Sequence, residues 1–147
     1  YKVCNLYCKQ ADSRDDLAQE ITLQLWRAFP SYDANYKLST WMYRIALNVA
    51  ISFYRQEKRR IQNAMPLENE IFMLASDENE IHEKESTITQ LHQYIAQLDD
   101  LNKSIMLLLL EEYSYKEIAD IVGITESNVA TKINRIKQSL KENFKNQ

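Results

Sequence analysis

Glycine is nearly absent from this chain. Average usage would give roughly ten glycines in a sequence of this length, yet there is one, Gly123, with only two prolines, Pro30 and Pro66, in 147 residues. Hairpin turns draw on these two residue types for their backbone angles, so β-rich architectures are excluded and helices remain. Cysteine is scarce too: Cys4 and Cys8 are the only ones, too few for a disulfide framework, which points to a reducing, cytoplasmic setting. No apolar run nears the roughly 18 residues of a membrane span, so membrane insertion is not expected; the longest run, Ile105 to Leu110, suits a buried helix. A signal-peptide pattern is missing as well. So is any glycine-rich phosphate loop or Ser, His and acid motif, which leaves no catalytic site and no cofactor to propose. A metal held by Cys4 and Cys8 would need His82 or His92, which fall in a linker and a second unit, and ordinary buried thiols are the plainer reading.

What is present is charge, unevenly spread. The formal net charge is −3, which taken whole argues against a nucleic-acid binder. From Pro66 to Gln90, however, seven acids (Glu68, Glu70, Asp77, Glu78, Glu80, Glu83, Glu85) face only Lys84. The flanks are basic, through Arg44, Arg55, Lys58, Arg59 and Arg60 on one side and Lys132, Arg135, Lys137, Lys141 and Lys145 on the other.

Helical periodicity fills those flanks. Tyr1 to Lys9 reads as the tail of a helix whose start precedes the chain, with Val3, Leu6 and Tyr7 on one face. A second helix, capped by Asp12 or Ser13, repeats Leu17, Ile21, Leu25 and Phe29 until Pro30 stops it. The polar stretch Ser31 to Leu38 is a loop, and Ser39 can cap a third helix reaching Arg59 or Arg60. Its core stripe reads as Met42, Ile45, Ala46, Val49 and Phe53, opposite Trp41, Arg44, Asn48, Ser52 and Arg55. Residues 61 to 85 lack periodicity and form an acidic linker, with a short helix around Glu70 to Ala75. Beyond it, Ile88, Leu91, Ile95 and Leu98 line a fourth helix, and Asp99 or Asp100 caps a fifth. The fold class is therefore all-α: two small helical domains, 1–60 and 86–147, joined by a weakly structured linker, so that they are expected either to move semi-independently in the free chain or to be clamped together by a partner or crystal contacts.

The second domain carries the sharpest pattern. Ser114 and Glu117 have capping-box spacing, Ile118, Ala119 and Val122 make a short apolar face, Gly123 can take the positive φ of a tight turn, and Thr125 caps a longer helix with Val129, Ile133, Ile136 and Leu140 on its buried side. Short helix, glycine turn and basic helix form a helix-turn-helix. Ser127, Asn128, Thr131, Lys132 and Arg135 then face away from the core, where hydroxyl, amide and cation can meet base edges and phosphates. A helical hairpin with a solvated basic face is the bland alternative.

Three segments, Asp15-Asp16-Leu17-Ala18-Gln19-Glu20, Thr40-Trp41-Met42-Tyr43-Arg44-Ile45-Ala46-Leu47-Asn48 and Ser114-Tyr115-Lys116-Glu117-Ile118-Ala119 with Val129 to Arg135, closely resemble the extracytoplasmic-function sigma factors of the sigma-70 family. The resemblance implies region 2 over residues 1 to 60 and region 4 over about 86 to 147. It further implies a subunit that binds core RNA polymerase and promoter DNA, region 2 reading and melting the minus-ten element and region 4 reading the minus-thirty-five element. Asp16, Gln19 and Glu20 would then dock on polymerase, and an anti-sigma factor joins the partners the resemblance admits. Strand opening needs somewhere to hold an unstacked base, and Tyr32, Asn35, Tyr36, Lys37 and Ser39 beside Trp41, Arg44 and Asn48 supply rings, amides and cations; Arg55, Lys58, Arg59 and Arg60 suit phosphates. Ala130 stands where the family often has a basic residue, so intrinsic DNA affinity should be low. A stand-alone helix-turn-helix regulator and a helical adaptor without a DNA role are the competing readings.

Overall fold

The computed structural model describes residues 1–64 and 87–145, and every regular element among them is helical. In chain order these are α1 (Lys2–Tyr7), α2 (Ala11–Ala28), a 3-10 turn (Phe29–Ser31), α3 (Leu38–Ala64), α4 (Thr87–Gln97), α5 (Asp100–Leu110), α6 (Tyr115–Val122) and α7 (Glu126–Lys145). The stretch 65–86, with the helix expected over Glu70 to Ala75, lies outside the described residues.

Local chemistry sets most helix ends. Asp99 caps α5, its carboxylate accepting from the Asn102 N–H at 2.9 Å. At α6 the capping box is complete: Ser114 Oγ accepts from the Glu117 N–H at 3.2 Å and Glu117 Oε2 from the Ser114 N–H at 3.0 Å. Gly123 ends α6 at φ 76, and a Cβ built there would meet nothing within 4 Å. The left-handed backbone, rather than crowding, selects glycine at this turn. Three ends differ from expectation. Helix α2 starts at Ala11 behind Gln10, which makes no side-chain cap, so Asp12 instead faces the helix dipole from the first turn. Helix α3 starts at Leu38, the Lys37 carbonyl accepting from the Trp41 N–H at 3.2 Å, which puts Ser39 inside the first turn rather than at its cap. It also continues past Arg60 to Ala64, because nothing between Ile61 and Ala64 breaks a helix and Pro66 is the first residue that does.

Helix α3 packs against α2 on one side and against α1 and α6 on the other. That double burial explains why a single apolar stripe misdescribes it. Leu47 and Ala50 are its buried residues; Ala46, Val49 and Phe53 of the expected stripe, with Tyr43 and Tyr54, are partly buried and packed on the same core, while Met42, assigned to the core from spacing, is 41 % exposed. Phe29 is likewise outside the core, at 61 % exposed, because the chain turns at Pro30 before the α2 stripe reaches it.

The two helical units do not stand apart. One continuous core takes Leu17, Leu47 and Ala50 from the first and Ile105, Leu108, Ile118, Val129 and Ile133 from the second. At its seam the Tyr7 hydroxyl lies 2.7 Å from Ser104 Oγ and 2.8 Å from the Asp100 carbonyl oxygen, and Tyr43 packs edge-on against Tyr113 at 5.4 Å. The buried Lys103 sets its ammonium over the Tyr54 ring, 5.6 Å from the centroid. Side chains far apart in sequence thus bury each other across the two units.

Burial drives the Tyr7 phenol up to about 12, against an opposing hydrogen bond from Ser104. The unfolded chain releases this proton near pH 10 and the folded chain holds it to about 12, so the contribution is whole below pH 10 and is lost as pH rises through about 12. In thermal melts from pH 9 to 12 the wild type is expected to lose stability more steeply than Tyr7→Phe. Parallel curves would show that this phenol does not titrate late.

Candidate nucleic-acid interface

At the junction of α2 and α3 three aromatic rings meet. Phe29 and Tyr32 stack at 6.3 Å and 19°, Tyr32 and Trp41 lie 5.1 Å apart, and Phe29 approaches Trp41 edge-on at 6.4 Å. Tyr32 and Trp41 are half-buried, whereas Phe29, Asn35, Tyr36, Lys37 and Ser39 are exposed. The loop between them is folded on itself. Tyr32 donates its hydroxyl hydrogen to the Tyr36 carbonyl at 2.7 Å, and the Asn35 N–H donates to Asp33 Oδ1 at 2.9 Å, an Asx turn. Stacking surfaces, amide and ammonium therefore share one locality. Sequence reasoning missed Phe29 here, having assigned it by spacing to the core; the signal was Pro30, which ends the helix beneath it.

Along α3, Arg44, Asn48, Ser52 and Arg55 are all exposed. The structure divides that stripe. Asn48 and Ser52 line an open groove of about 800 Å³ between α2 and α3 together with Asp16, Gln19 and Glu20, and Trp41 is not part of its wall. Asn48 is thus joined to the residues expected to face polymerase rather than set directly beside the aromatic cluster. Glu20 is held there by Gln24, whose amide donates at 2.8 Å. Arg55 turns the other way, its Nε donating to Asp100 Oδ2 at 3.0 Å, and Lys58, Arg59 and Arg60 stand exposed near the helix end.

On the helix-turn-helix, Ser127, Asn128, Thr131 and Arg135 are exposed and Lys132 is half-buried, while Val129, Ile133 and Ile136 are buried. The two faces of α7 are thereby separated into core and presented surface. Thr125 Oγ1 accepts from the Asn128 N–H at 3.3 Å, capping α7, and Thr131 donates its hydroxyl hydrogen to the Ser127 carbonyl at 2.9 Å.

One contact links the first surface to the second unit. Lys37 donates to Glu117 Oε1, and this bond, with the Ser114 N–H and hydroxyl, holds the Glu117 carboxyl down at about 2. Cys4 and Cys8 are buried, and burial pushes the Cys8 thiol up. Among the described residues no group of three His, Cys, Asp or Glu could hold a metal ion, and no helix is long and apolar enough to cross a membrane. His82 lies outside the described residues.

Comparison with known proteins bears on what these surfaces do. A family model described as sigma-70 region 2 matches residues 1–60, and one described as sigma-70, region 4 matches residues 88–140. Among curated relatives, the RNA polymerase sigma factor YlaC of Bacillus subtilis is 27 % identical, over 90 % of this chain and 78 % of its own length. The extracytoplasmic-function sigma factor SigW of the same organism is also 27 % identical, over 99 % of this chain and 82 % of its own. Among solved structures, the sigma factor RpoE crystallised with the anti-sigma factor NepR from Bartonella quintana shares the fold, with a TM-score of 0.72 and 19 % identity over 97 % of this chain and 88 % of that one.

Proposed function

The chain belongs to the extracytoplasmic-function sigma factors of the sigma-70 family, and from that membership we propose how its residues divide the work. It is a non-enzymatic initiation factor that binds core RNA polymerase and directs it to promoters. Residues 1–60 act as the region 2 unit and 86–147 as the region 4 unit, with 61–85 between them. The aromatic cluster with Asn35, Lys37, Ser39 and Arg44, together with Asn48 from the neighbouring groove, receives the melted minus-ten strand, and Arg55, Lys58 and Arg59 meet its phosphates. Ser127, Asn128, Thr131, Lys132 and Arg135 read the minus-thirty-five element, and Asp16, Gln19 and Glu20 face polymerase. The work is done in the cytoplasm, where polymerase is. An anti-sigma factor is a further partner, on the analogy of RpoE with NepR.

The observation that carries the minus-ten assignment is the stacked pair Phe29 and Tyr32 with Trp41 beside them, Phe29 exposed and the other two partly buried, at a surface ringed by polar groups. Base stacking on such rings is worth about 1–3 kcal/mol per base. Trp41→Ala is accordingly expected to lower promoter opening about 5- to 150-fold while closed-complex formation with core polymerase is little changed, and Asn48→Ala to act in the same direction. Permanganate reactivity of melted thymines, followed in transcription reactions with purified core, measures this. Wild-type opening in both variants would remove the pocket. A stand-alone regulator is not favoured, since the first unit matches region 2 rather than a dimerisation or sensing module.

A further inference from the structure

The cations that reach from one unit to the other differ in what they meet. Lys2 Nζ lies 2.7 Å from both carboxylate oxygens of Glu111, Lys37 pairs with Glu117 and Arg55 pairs with Asp100 at 3.0 Å, and all three keep more than half of their side-chain surface in water. Lys103 on α5 is only 8 % exposed, yet among the described residues its ammonium meets no carboxylate and no other hydrogen-bond acceptor, resting on the Tyr54 ring alone. Buried charges are paired as a rule, because an unpaired one forfeits its hydration, and an ammonium has three N–H donors to satisfy. The deepest cation is the one left without a counter-charge. From this we infer that Lys103 is the floor of an anion site, completed by Lys9 and Lys58 and suited to a small phosphoryl dianion, either free phosphate or the phosphoryl end of a metabolite. Apart from Lys58, the site uses no residue assigned above to promoter or polymerase.

Contacts at the seam bring the three lysines together. The Tyr7 ring lies edge-on to Tyr54 at 6.2 Å while its hydroxyl meets Ser104 and the Asp100 carbonyl, so the end of α1, the outer half of α3 and the start of α5 converge. Lys9 follows Tyr7 by two residues, and Lys58 stands one helical turn beyond Tyr54. The acids at hand are committed elsewhere. Asp99 accepts from the backbone and side-chain amides of Asn102 at 2.9 and 2.6 Å, and Asp100 accepts from Arg55. Glu57, beside Lys58, pushes up the Cys8 thiol instead. Lys103 registers the balance: burial lowers its pKa, Asp100 and Asp99 raise it, and the like charges of Lys9 and Lys58 lower it further. Charges of one sign so placed repel one another until an anion sits among them. A phosphoryl group carries about −1.5 to −2 charge at pH 7 and three strong acceptor oxygens, whereas a monovalent ion would leave most of the positive charge uncompensated.

The test titrates the full chain with sodium phosphate at fixed pH and ionic strength, sodium chloride making up the balance, with binding followed by calorimetry and stability by thermal melts. One phosphate per chain is expected, and at about ten times its dissociation constant the melting temperature should rise by about 3–6 °C. Lys103→Met keeps an apolar stem on Tyr54 and removes the charge. It should weaken phosphate binding about 10- to 150-fold, the range for a hydrogen bond to a charged group. In chloride alone it should melt no lower than wild type, having shed an unpaired buried charge, and the wild type should overtake it as phosphate is added. Should Lys103→Met fail to fold, Lys9→Ala at an exposed position still tests the site, with an expected weakening of about two- to fivefold. No phosphate response in the wild type, or a response unaltered in both variants, overturns the inference. Phenyl phosphate separates the two sources of the group: tighter binding than inorganic phosphate supports a metabolite's phosphoryl end, and weaker binding supports the free ion. A minus-ten single strand is the last arm. If Lys103→Met weakens its binding while phosphate alone has no effect on the wild type, these lysines belong to the DNA path and the small-anion site is wrong.

Discussion

Truncating Ile133 to alanine is expected to cost about 2–5 kcal/mol of stability, the range for removing a buried isoleucine side chain and leaving a cavity. Ile133 is fully buried, between Val129 and Ile136 on the inner stripe of α7, and belongs to the same core as Leu17 and Leu47 of the other unit. At about 2–4 °C per kcal/mol for a domain of this size, the melting temperature should fall by roughly 5–20 °C. Because the core is shared, the loss should also be felt where the mutation is not. Both tryptophans, Trp26 and Trp41, lie in the region 2 half, so their fluorescence reports that half while far-ultraviolet circular dichroism reports helix throughout. Coincident, equally lowered transitions are the expected result. A tryptophan transition that stays at its wild-type temperature while helix is lost early would show two units that fold separately.

How much of this was legible from residues alone follows from how far apart the cooperating residues are. Ser114 with Glu117 and Gly123 act within four positions and were readable because the partner sits on the same turn, while the cap left open between Asp99 and Asp100 falls to Asp99. The inner face of α7 was readable for a similar reason: it is covered on one side, so Val129, Ile133 and Ile136 keep a clean helical period. Helix α3 is covered on two sides, which blurs the period, and the stripe was placed too far round, taking in Met42 and leaving out Leu47 and Ala50. Asn48 and Trp41 share a helical face by spacing, yet the bulk of α2 closes a groove around the first and leaves the second to Phe29 and Tyr32. Least legible was the seam. Lys2 and Glu111 lie 109 positions apart and Lys37 and Glu117 80 apart, and no periodicity relates charges at such separations. Tyr7 was the one hint, since a tyrosine on an otherwise apolar face needs a partner for its hydroxyl and found Ser104.

Replacing Lys132 or Arg135 by alanine should separate the reading surface of α7 from its structural one. Both lie away from the buried stripe, Arg135 exposed and Lys132 half-buried, so each substitution should leave stability within about 0.5 kcal/mol of wild type. If either side chain reaches a base edge in the major groove, its loss should weaken holoenzyme binding to the upstream promoter element by about 1–3 kcal/mol and relax selectivity at one base pair. A phosphate contact would show itself otherwise: affinity would drop evenly across sequences, and the logarithmic salt dependence would flatten by about one unit. Arg135, fully presented and able to form two parallel hydrogen bonds, is expected to behave in the first way. Lys132, a half-buried point charge without such a fork, is expected to behave in the second. Binding is to be measured with holoenzyme on promoter fragments with intact and scrambled minus-thirty-five elements across a salt series. Should both variants keep wild-type affinity and salt slope while the holoenzyme still initiates, α7 is a structural helix with a solvated basic face, and promoter choice rests on region 2 alone.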